Sequence, residues 1–225
     1  ILNEKIKVIK EELGTSYDKD REISILKEKI ENKNLPKNIK ERLKLEVQRY
    51  ESLPPMSSEI GMVKTYIDTV LSLPFGIYTK DNEKIEDAKK ILDETHYGLK
   101  EAKERILEYL ALNKLTKGKN NPIICFVGPP GVGKTTFAKT IAKATNKNYT
   151  KISVGGINDE AEIVGHRRAY IGSAPGKIIE GMKKAKSSNP VFIIDEVDKM
   201  TKDIKGDPAS SLLEVLDKEQ NKYFQ

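Results

Sequence analysis

IICFVGPPGVGKT, from Ile123 to Thr135, is the stretch of this 225-residue sequence that decides its fold. Residues 123–127 are apolar and rich in β-formers, which predicts a short strand. Residues 128–135 fill the pattern G-x-x-x-x-G-K-[ST] at every fixed position. Residues 136–144 then carry apolar side chains at the spacing of a helix. A glycine-rich turn between a strand and a helix predicts a loop that binds phosphate.

The residue types of this loop suit a nucleoside triphosphate. Its glycines allow backbone dihedral angles that other residues avoid, and they let backbone amides approach phosphate oxygens. The N-terminus of the following helix adds unpaired N–H groups and a partial positive charge. We expect Lys134 to reach the β- and γ-phosphates and the Thr135 hydroxyl to ligate Mg²⁺. With ATP and Mg²⁺ as the expected cofactors, the predicted nucleotide-binding residues are Gly128, Pro129, Pro130, Gly131, Val132, Gly133, Lys134 and Thr135.

A second apolar run ends in two carboxylates, Asp195 and Glu196, which follow residues 190–194 (PVFII). Such a run is typical of a strand that is buried on both faces of a parallel sheet. Ligands bind at the carboxyl ends of these strands, so we expect both carboxylates beside the loop. Asp195 would anchor Mg²⁺, and Glu196 would orient and polarise an attacking water. The dipeptide could also cap a helix, but with the loop upstream it predicts hydrolysis, with Lys134, Asp195 and Glu196 as catalytic residues and Thr135 and Asp195 as Mg²⁺ ligands.

The composition sets broader bounds. The net charge of +6 is spread over Lys–Glu alternations, so a solvated surface accounts for most of it and binding to nucleic acid stays open. The single cysteine, Cys125, lies in the first predicted strand, where we expect it to be buried in the core. A reducing compartment follows, which is the cytoplasm or, for a eukaryotic protein, the mitochondrial matrix. We predict no membrane span and no signal peptide, because no apolar stretch approaches about eighteen residues.

The first half of the sequence predicts helices separated by breakers. Its apolar residues recur at helical spacing in six stripes, and residues 1–50 suit either a coiled coil or an antiparallel bundle. The interruptions contain glycine or proline, at Gly14, Pro36, Pro54, Pro55, Pro74 and Gly76. The stripes are Ile1, Ile6, Ile9 and Leu13; Ile23, Leu26 and Ile30; Ile39, Leu43, Val47 and Tyr50; Ile60, Val63, Ile67 and Val70; Ile85, Ala88, Ile91 and Leu92; and Leu99, Ala102, Ile106 and Leu110.

The second half alternates strands with helices. After the loop, residues 149–154 alternate like a strand, Pro175 opens a helix, and residues 209–216 close the sequence as another helix. Strands separated by crossover helices imply a parallel three-layer sheet. The predicted fold class is therefore α/β, with a mainly helical amino-terminal half followed by part of a phosphate-loop domain.

Phrases around the two motifs resemble the ATPase module of Lon proteases. The resemblance covers nearly the whole chain and is most specific from about residue 92 onward. The phrases that carry it are 155–176 (GGINDEAEIVGHRRAYIGSAPG), 195–200 (DEVDKM), 206–210 (GDPAS) and 213–217 (LEVLD), with 66–68 (YID), 73–75 (LPF), 96–99 (HYGL) and 105–110 (RILEYL) upstream.

This resemblance implies an AAA+ motor that assembles as a homo-hexamer, unfolds damaged proteins and threads them into a serine–lysine peptidase chamber. It implies that Tyr170 and Ile171 form a pore loop that grips the substrate, with Ile204 on a second axial loop. It places Tyr97 and Gly98 near the adenine. The implied domains are residues 1–55, the helical end of an amino-terminal region; residues 56–118, a helical linker; and residues 119–225, the first part of the AAA+ large subdomain.

Some parts of the family pattern have no counterpart in these 225 residues, namely the polar sensor, the arginine that reaches a neighbouring γ-phosphate, the helical lid and the peptidase Ser and Lys. We therefore expect a piece of a longer protein. We also expect weak or no ATP hydrolysis by this chain alone, because the transition-state charge lacks its arginine partner. Two alternatives stay open: an AAA+ ATPase that remodels nucleic acid, and a helical interaction module in residues 1–55.

Overall fold

The computed structural model describes residues 15–54, 56–82, 85–116, 123–166, 174–202, 206–217 and 219–221. They divide into two compact units, the first with one cluster of buried apolar side chains and the second with two. The first unit holds the described residues up to Gly76, together with Ala174. The second holds those from Ile77 to His166 and from Pro175 onward.

The predicted fold class, α/β with a mainly helical first part, is confirmed. Within the described residues, no helix has the length and apolarity needed to cross a bilayer. The apolar stripe of residues 1–13 lies outside the described residues.

The helices and strands of the two units have the following bounds. The first unit contains α1 (Thr15–Asn32), α2 (Lys37–Ser52) and α3 (Glu59–Ser72). The second unit contains α4 (Ile85–Thr95), α5 (Lys100–Leu115), α6 (Lys134–Ala144), β1 (Tyr149–Ser153), α7 (Ala161–Val164), α8 (Lys177–Ala185), β2 (Val191–Asp195), a 3₁₀ turn (Val197–Lys199) and α9 (Pro208–Leu216).

The core of the helical unit is made by the stripes that the sequence predicts. Helix α2 starts directly after Pro36, as expected for a residue with a fixed φ and no N–H. The contacting side chains come from all three helices, so periodic burial at helical spacing suffices to close this core. Its buried residues are Ile23, Leu26, Ile30, Leu43, Val47, Tyr50, Val63 and Ile67.

The three helices alternate in direction. Lys19, near the start of α1, donates from Nζ to the carbonyl oxygen of Leu53 just after α2, at 2.7 Å. Lys33, just after α1, donates to the carbonyl oxygen of Leu73 just after α3, at 2.6 Å. Both ammonium groups satisfy carbonyls at helix C-termini, where a cation is favoured. In the described residues, α1 to α3 therefore form an antiparallel bundle.

The second unit contains a parallel pair of strands. β1 and β2 are in register from Tyr149 opposite Val191 to Ser153 opposite Asp195. Helix α8 lies against this pair so closely that a Cβ on Gly181 would come within 2.5 Å of the Phe192 ring. The side chains of β2 are half-buried rather than fully buried as predicted, because β1 is the one strand paired with it in the described residues.

The prediction of a strand over residues 123–127 is wrong. These residues pair with neither described strand, and Ile123 and Val127 are exposed by 64% and 91%. Cys125 is exposed and not buried as predicted. Phe126 alone packs inward, against Phe137 of α6 with ring centroids 5.6 Å apart. An apolar run becomes a buried strand only where neighbouring strands supply backbone partners and cover, and no described strand pairs with residues 123–127.

Residues 77–82 are tied to the end of the strand pair at which β1 and β2 begin. Asn189 accepts from the backbone N–H of Thr79 at 2.9 Å and donates back to its carbonyl at 3.0 Å. The backbone N–H of Asn82 donates to the carbonyl of Thr145 at 3.1 Å. Asp81 pairs with Lys147 at 3.2 Å. The opposite end of the strands, where Asp195 lies, stays clear of this segment.

Candidate functional site

The glycine-rich loop leads directly into α6. Gly131 and Gly133 have φ of +82° and +87°, which is the left-handed region that favours glycine. A Cβ at either position would meet nothing within 4 Å, so the backbone angle rather than space explains these two glycines. The N–H of Phe137 donates to the carbonyl of Gly133 at 2.8 Å, which starts the helix. Unpaired N–H groups of the first turn are thus presented at the loop.

Lys134 folds back over the loop that precedes it. Its Nζ donates to the carbonyl oxygens of Gly128, at 2.6 Å, and Pro129, at 2.8 Å. These are neutral acceptors, and an anionic phosphate oxygen makes a stronger hydrogen bond with an ammonium group. The cation therefore lies at the mouth of the loop with partners that a phosphate can replace.

Asp195 meets the loop helix at the carboxyl end of β2. The Thr135 hydroxyl donates to Asp195 Oδ2 at 3.4 Å, and the backbone N–H of Glu196 donates to Oδ1 at 3.0 Å. The strongest partner is Lys151 of β1, whose Nζ lies 2.5 Å from Oδ2. This hydrogen bond is the main reason that the pKa of Asp195 lies below its ordinary value. The carboxylate is ionised at neutral pH.

Glu196 is held in an unusual backbone conformation with two side-chain partners. Its φ is +62°, in the left-handed region that non-glycine residues seldom adopt. Lys199 Nζ bonds to Oε1 and the Ser153 hydroxyl donates to Oε2 at 3.0 Å. The hydrogen bond from Lys199 is the largest cause of a lowered pKa at this carboxyl, followed by that from Ser153. A Cβ on Gly155 would lie 2.6 Å from Glu196 Oε2, so a larger residue there would have to displace this carboxylate.

The oxygens of Thr135 and Asp195 fit a magnesium ion. Mg²⁺ takes oxygen ligands and is commonly held by one or two carboxylates together with substrate phosphates. A hydroxyl and a carboxylate 3.4 Å apart beside a phosphate-binding loop supply that donor set. Among the residues that the structure describes, no group of three or more His, Cys, Asp or Glu could hold a metal by itself. The ion that suits this site is one that shares its coordination with a phosphate.

The residues implied to lie near the adenine adjoin α6. Tyr97 is fully exposed, and Gly98 has φ of +69°. The preceding residue, His96, packs edge-to-face on Phe137 with centroids 4.8 Å apart. Burial, and then the charge of Lys103, lower the pKa of His96. A neutral imidazole therefore connects this segment to the first turn of the loop helix.

The implied pore-loop residues Tyr170 and Ile171 lie outside the described residues, as does Ile204. The described residues on either side of the first pair come together, since Gly165 and Pro175 form an antiparallel bridge. Gly176, which caps α8, fits tightly there, because a Cβ would lie 2.0 Å from the carbonyl oxygen of Ile163.

Three contributors to the site are absent from the sequence-based prediction: Lys151, Ser153 and Lys199. The alternation of residues 149–153 places Lys151 and Ser153 on one face of β1, and a lysine inside a strand next to a predicted Mg²⁺ ligand is a usable signal. Lys199 lies three residues after Glu196, within one turn. What the sequence could not supply is the pairing of β1 with β2, which brings these side chains to the carboxylates.

The second unit is similar to a family of ATPases. Residues 124–224 match the family model described as "ATPase family associated with various cellular activities (AAA)". The chain is 52% identical over 223 residues to the Lon protease of Syntrophomonas wolfei and to that of Clostridioides difficile, covering 99% of this chain and 28% of each relative. It is 51% identical to Lon protease 1 of Bacillus subtilis, again over 99% of this chain and over 29% of the relative. The chain belongs to the Lon protease family and spans just over a quarter of the length of these relatives.

Proposed function

We propose that residues 128–135 bind ATP with Mg²⁺, and that the chain supplies the nucleotide-driven motor of an ATP-dependent, Lon-type serine protease. The observation that carries this proposal is the approach of Thr135 Oγ1 to Asp195 Oδ2, at 3.4 Å, beside the loop. Residues that are 60 positions apart in sequence thus converge at the carboxyl end of β2, which is where open α/β sheets bind ligands.

Different groups of the site would bind the phosphates and the metal ion. Backbone amides of the loop and the first turn of α6 hold the phosphates, and Lys134 exchanges its two carbonyl partners for phosphate oxygens. Thr135 and Asp195 would hold the metal ion. Bound Mg²⁺ would neutralise charge that develops on the transferred phosphoryl group.

Glu196 orients the attacking water in this proposal. Its carboxylate is 40% exposed and is positioned by Ser153 and Lys199. Because its pKa is lowered, the group is ionised but is a weak proton acceptor. Its main contribution is therefore to align and polarise the water rather than to take up its proton early.

The mechanical part of the function concerns the complete protein. We propose that it assembles as a homo-hexamer in the cytoplasm, that Tyr170 and Ile171 grip unfolded or damaged protein in the central pore, and that Tyr97 and Gly98 contact the adenine. An exposed aromatic residue can hold an extended chain without demanding a particular sequence. The identity to proteins named Lon protease supports this proposal.

The test uses the complete protein that carries this chain. Glu196→Gln should still bind ATP but lose about 100-fold or more in turnover. Glu180→Gln is the matched control, because this exposed carboxylate of α8 lies 3.8 Å from Lys184 and serves no proposed step. Unaltered turnover in Glu196→Gln would contradict the assigned role.

A second comparison separates the protease from a nucleic-acid remodeller. A reduced, carboxymethylated globular protein should stimulate ATP turnover, and it should be degraded only when ATP is hydrolysed. Stimulation by double-stranded DNA instead, with a steep dependence on salt, would favour the nucleic-acid function.

A further inference from the structure

Lys151 makes the ionic contact with Asp195, the carboxylate proposed to hold Mg²⁺. Its Nζ lies 2.5 Å from Asp195 Oδ2, and this is the oxygen that also accepts from Thr135. Lys151 is opposite Ile193 in the strand pair, and Ser153 is opposite Asp195. The lysine side chain therefore extends along β1 to the carboxyl end of the pair, where the metal ion would be held.

No neighbouring lysine competes for this role among the contacts of the described residues. Lys199 pairs with Glu196, and Lys177 pairs with Glu162 at 3.0 Å. Lys134 donates to the loop carbonyls. The positive charge against Asp195 is thus supplied by Lys151.

An ammonium group and a divalent cation cannot share one carboxylate oxygen without cost. Both need its lone pairs, and two cations a few ångströms apart repel each other in a partly desolvated site. The pair is neither buried nor free in water, since the side chains of Lys151 and Asp195 are 38% and 28% exposed. Lys151 must move away from Oδ2 when a metal ion binds there.

We propose that Lys151 is a positioning residue that acts as the built-in counter-ion of Asp195 and sets how strongly nucleotide binding depends on Mg²⁺. Without metal, its ammonium group neutralises the carboxylate, which would otherwise repel the phosphates. With metal, it is displaced, and the displacement weakens the apparent affinity for Mg²⁺. This inference rests on the proposed nucleotide function of the loop.

The two halves of the proposal predict opposite changes in one variant. Lys151→Met removes the competitor, so the Mg²⁺ concentration for half-saturation in the presence of ATP should fall by about 3- to 10-fold. This first change is a gain in affinity for Mg²⁺. The same variant leaves Asp195 unneutralised, so the affinity for ATP in EDTA should decrease by a few-fold. A purely structural lysine would weaken both kinds of binding together.

The experiment titrates the 225-residue chain with ATP in EDTA, and with Mg²⁺ at saturating ATP, by calorimetry. Lys151→Arg keeps the charge and should behave like the parent chain. Lys184→Met, which removes a lysine from an exposed pair on α8, should also leave both affinities unchanged. Thermal unfolding of each variant confirms that the chain is folded.

The outcomes separate the inference from the function on which it rests. Opposite shifts in Lys151→Met, with parental behaviour in Lys151→Arg, support the counter-ion role. Binding of ATP with an unchanged or weakened Mg²⁺ affinity in Lys151→Met overturns it and leaves the nucleotide site standing. Failure of the parent chain to bind ATP under either condition overturns both.

Discussion

Lysines are used differently in the two units of this protein. In the helical unit, Lys19 and Lys33 donate to carbonyl oxygens at helix ends and fix the direction of each helix. In the α/β unit, Lys134, Lys151 and Lys199 hold groups that the proposed chemistry needs: the loop carbonyls, Asp195 and Glu196. The contacts of Lys19 and Lys33 stabilise the bundle only while they are intact, whereas a bound ligand can replace those of Lys134 and Lys151.

Apolar residues of the two units also differ, in the extent to which they are buried. The stripes of α1 to α3 are buried because their partners are the next helices in sequence. Residues 123–127 are as apolar, yet Ile123 and Val127 are exposed because a strand depends on neighbours that local pattern does not provide. The contrast predicts that substitutions at tightly packed positions of either unit act on stability, and that substitutions of the lysines at the proposed site act on binding.

A cavity in the helical core should have the greatest effect on stability. Leu43→Ala should lower the free energy of unfolding by about 3 kcal/mol, because Leu43 is completely buried. Leu45→Ala, on the same helix but 64% exposed, and Ile123→Ala, also 64% exposed, should each cost less than about 0.5 kcal/mol. Urea denaturation followed by circular dichroism measures all three. A large loss in Ile123→Ala would show that residues 123–127 are covered after all.

Substitutions of two helical glycines should have the next largest effects on stability, in opposite directions. Gly181→Ala places a methyl group 2.5 Å from the Phe192 ring and should cost about 1–2 kcal/mol in unfolding free energy. Gly61→Ala, in α3 with nothing within 4 Å of the new Cβ, should instead stabilise by about 0.5 kcal/mol. Denaturation curves of the two variants should shift in opposite directions. Equal shifts would mean that α8 does not lie tightly on the strands.

Tyr50 joins the helices of the bundle through a hydrogen bond. Its hydroxyl donates to Glu22 Oε2 at 2.6 Å, and Tyr50→Phe should cost about 1 kcal/mol. Burial, and then the bond to Glu22, raise the pKa of Tyr50 to about 12 from its ordinary 10.0. A raised pKa means that this stabilisation is complete below pH 10 and is lost as the pH rises through 12.

The pH dependence supplies the control for this prediction. Alkaline pH changes the charge of the whole protein, so the quantity to measure is the stability of the parent chain minus that of Tyr50→Phe. This difference should shrink between pH 10 and 12. A difference that does not change with pH would contradict the assigned hydrogen bond.

The mildest perturbation is chemical labelling of Cys125. The thiol is exposed, so a maleimide should react with the native chain nearly as fast as with the chain in urea. Strong protection in the native chain would restore the sequence-based expectation of a buried cysteine.

The sequence predicts what local pattern controls. The helices from α1 to α6, the glycine loop and the β2 run with Asp195 at its end follow from periodicity and motif spacing. The prediction fails where a contact depends on which strands pair. Cys125 is exposed because residues 123–127 pair with no described strand. Lys151 reaches Asp195 only because β1 lies parallel to β2 in the observed register. The αL backbone of Glu196 is likewise invisible to pattern, because a β-rich run followed by a charged residue does not indicate positive φ.

Binding of ATP with Mg²⁺ by residues 128–135 can be measured by calorimetric titration of the 225-residue chain. The parent chain should bind one ATP in the presence of Mg²⁺. Lys134→Met should weaken this binding by about 10- to 100-fold. Lys139→Met should leave it unchanged, because Lys139 is exposed on the same helix and lies over the Tyr149 ring at 5.6 Å, apart from the loop. Absence of binding in the parent chain, or equal binding in Lys134→Met, would show that the loop is not a nucleotide site.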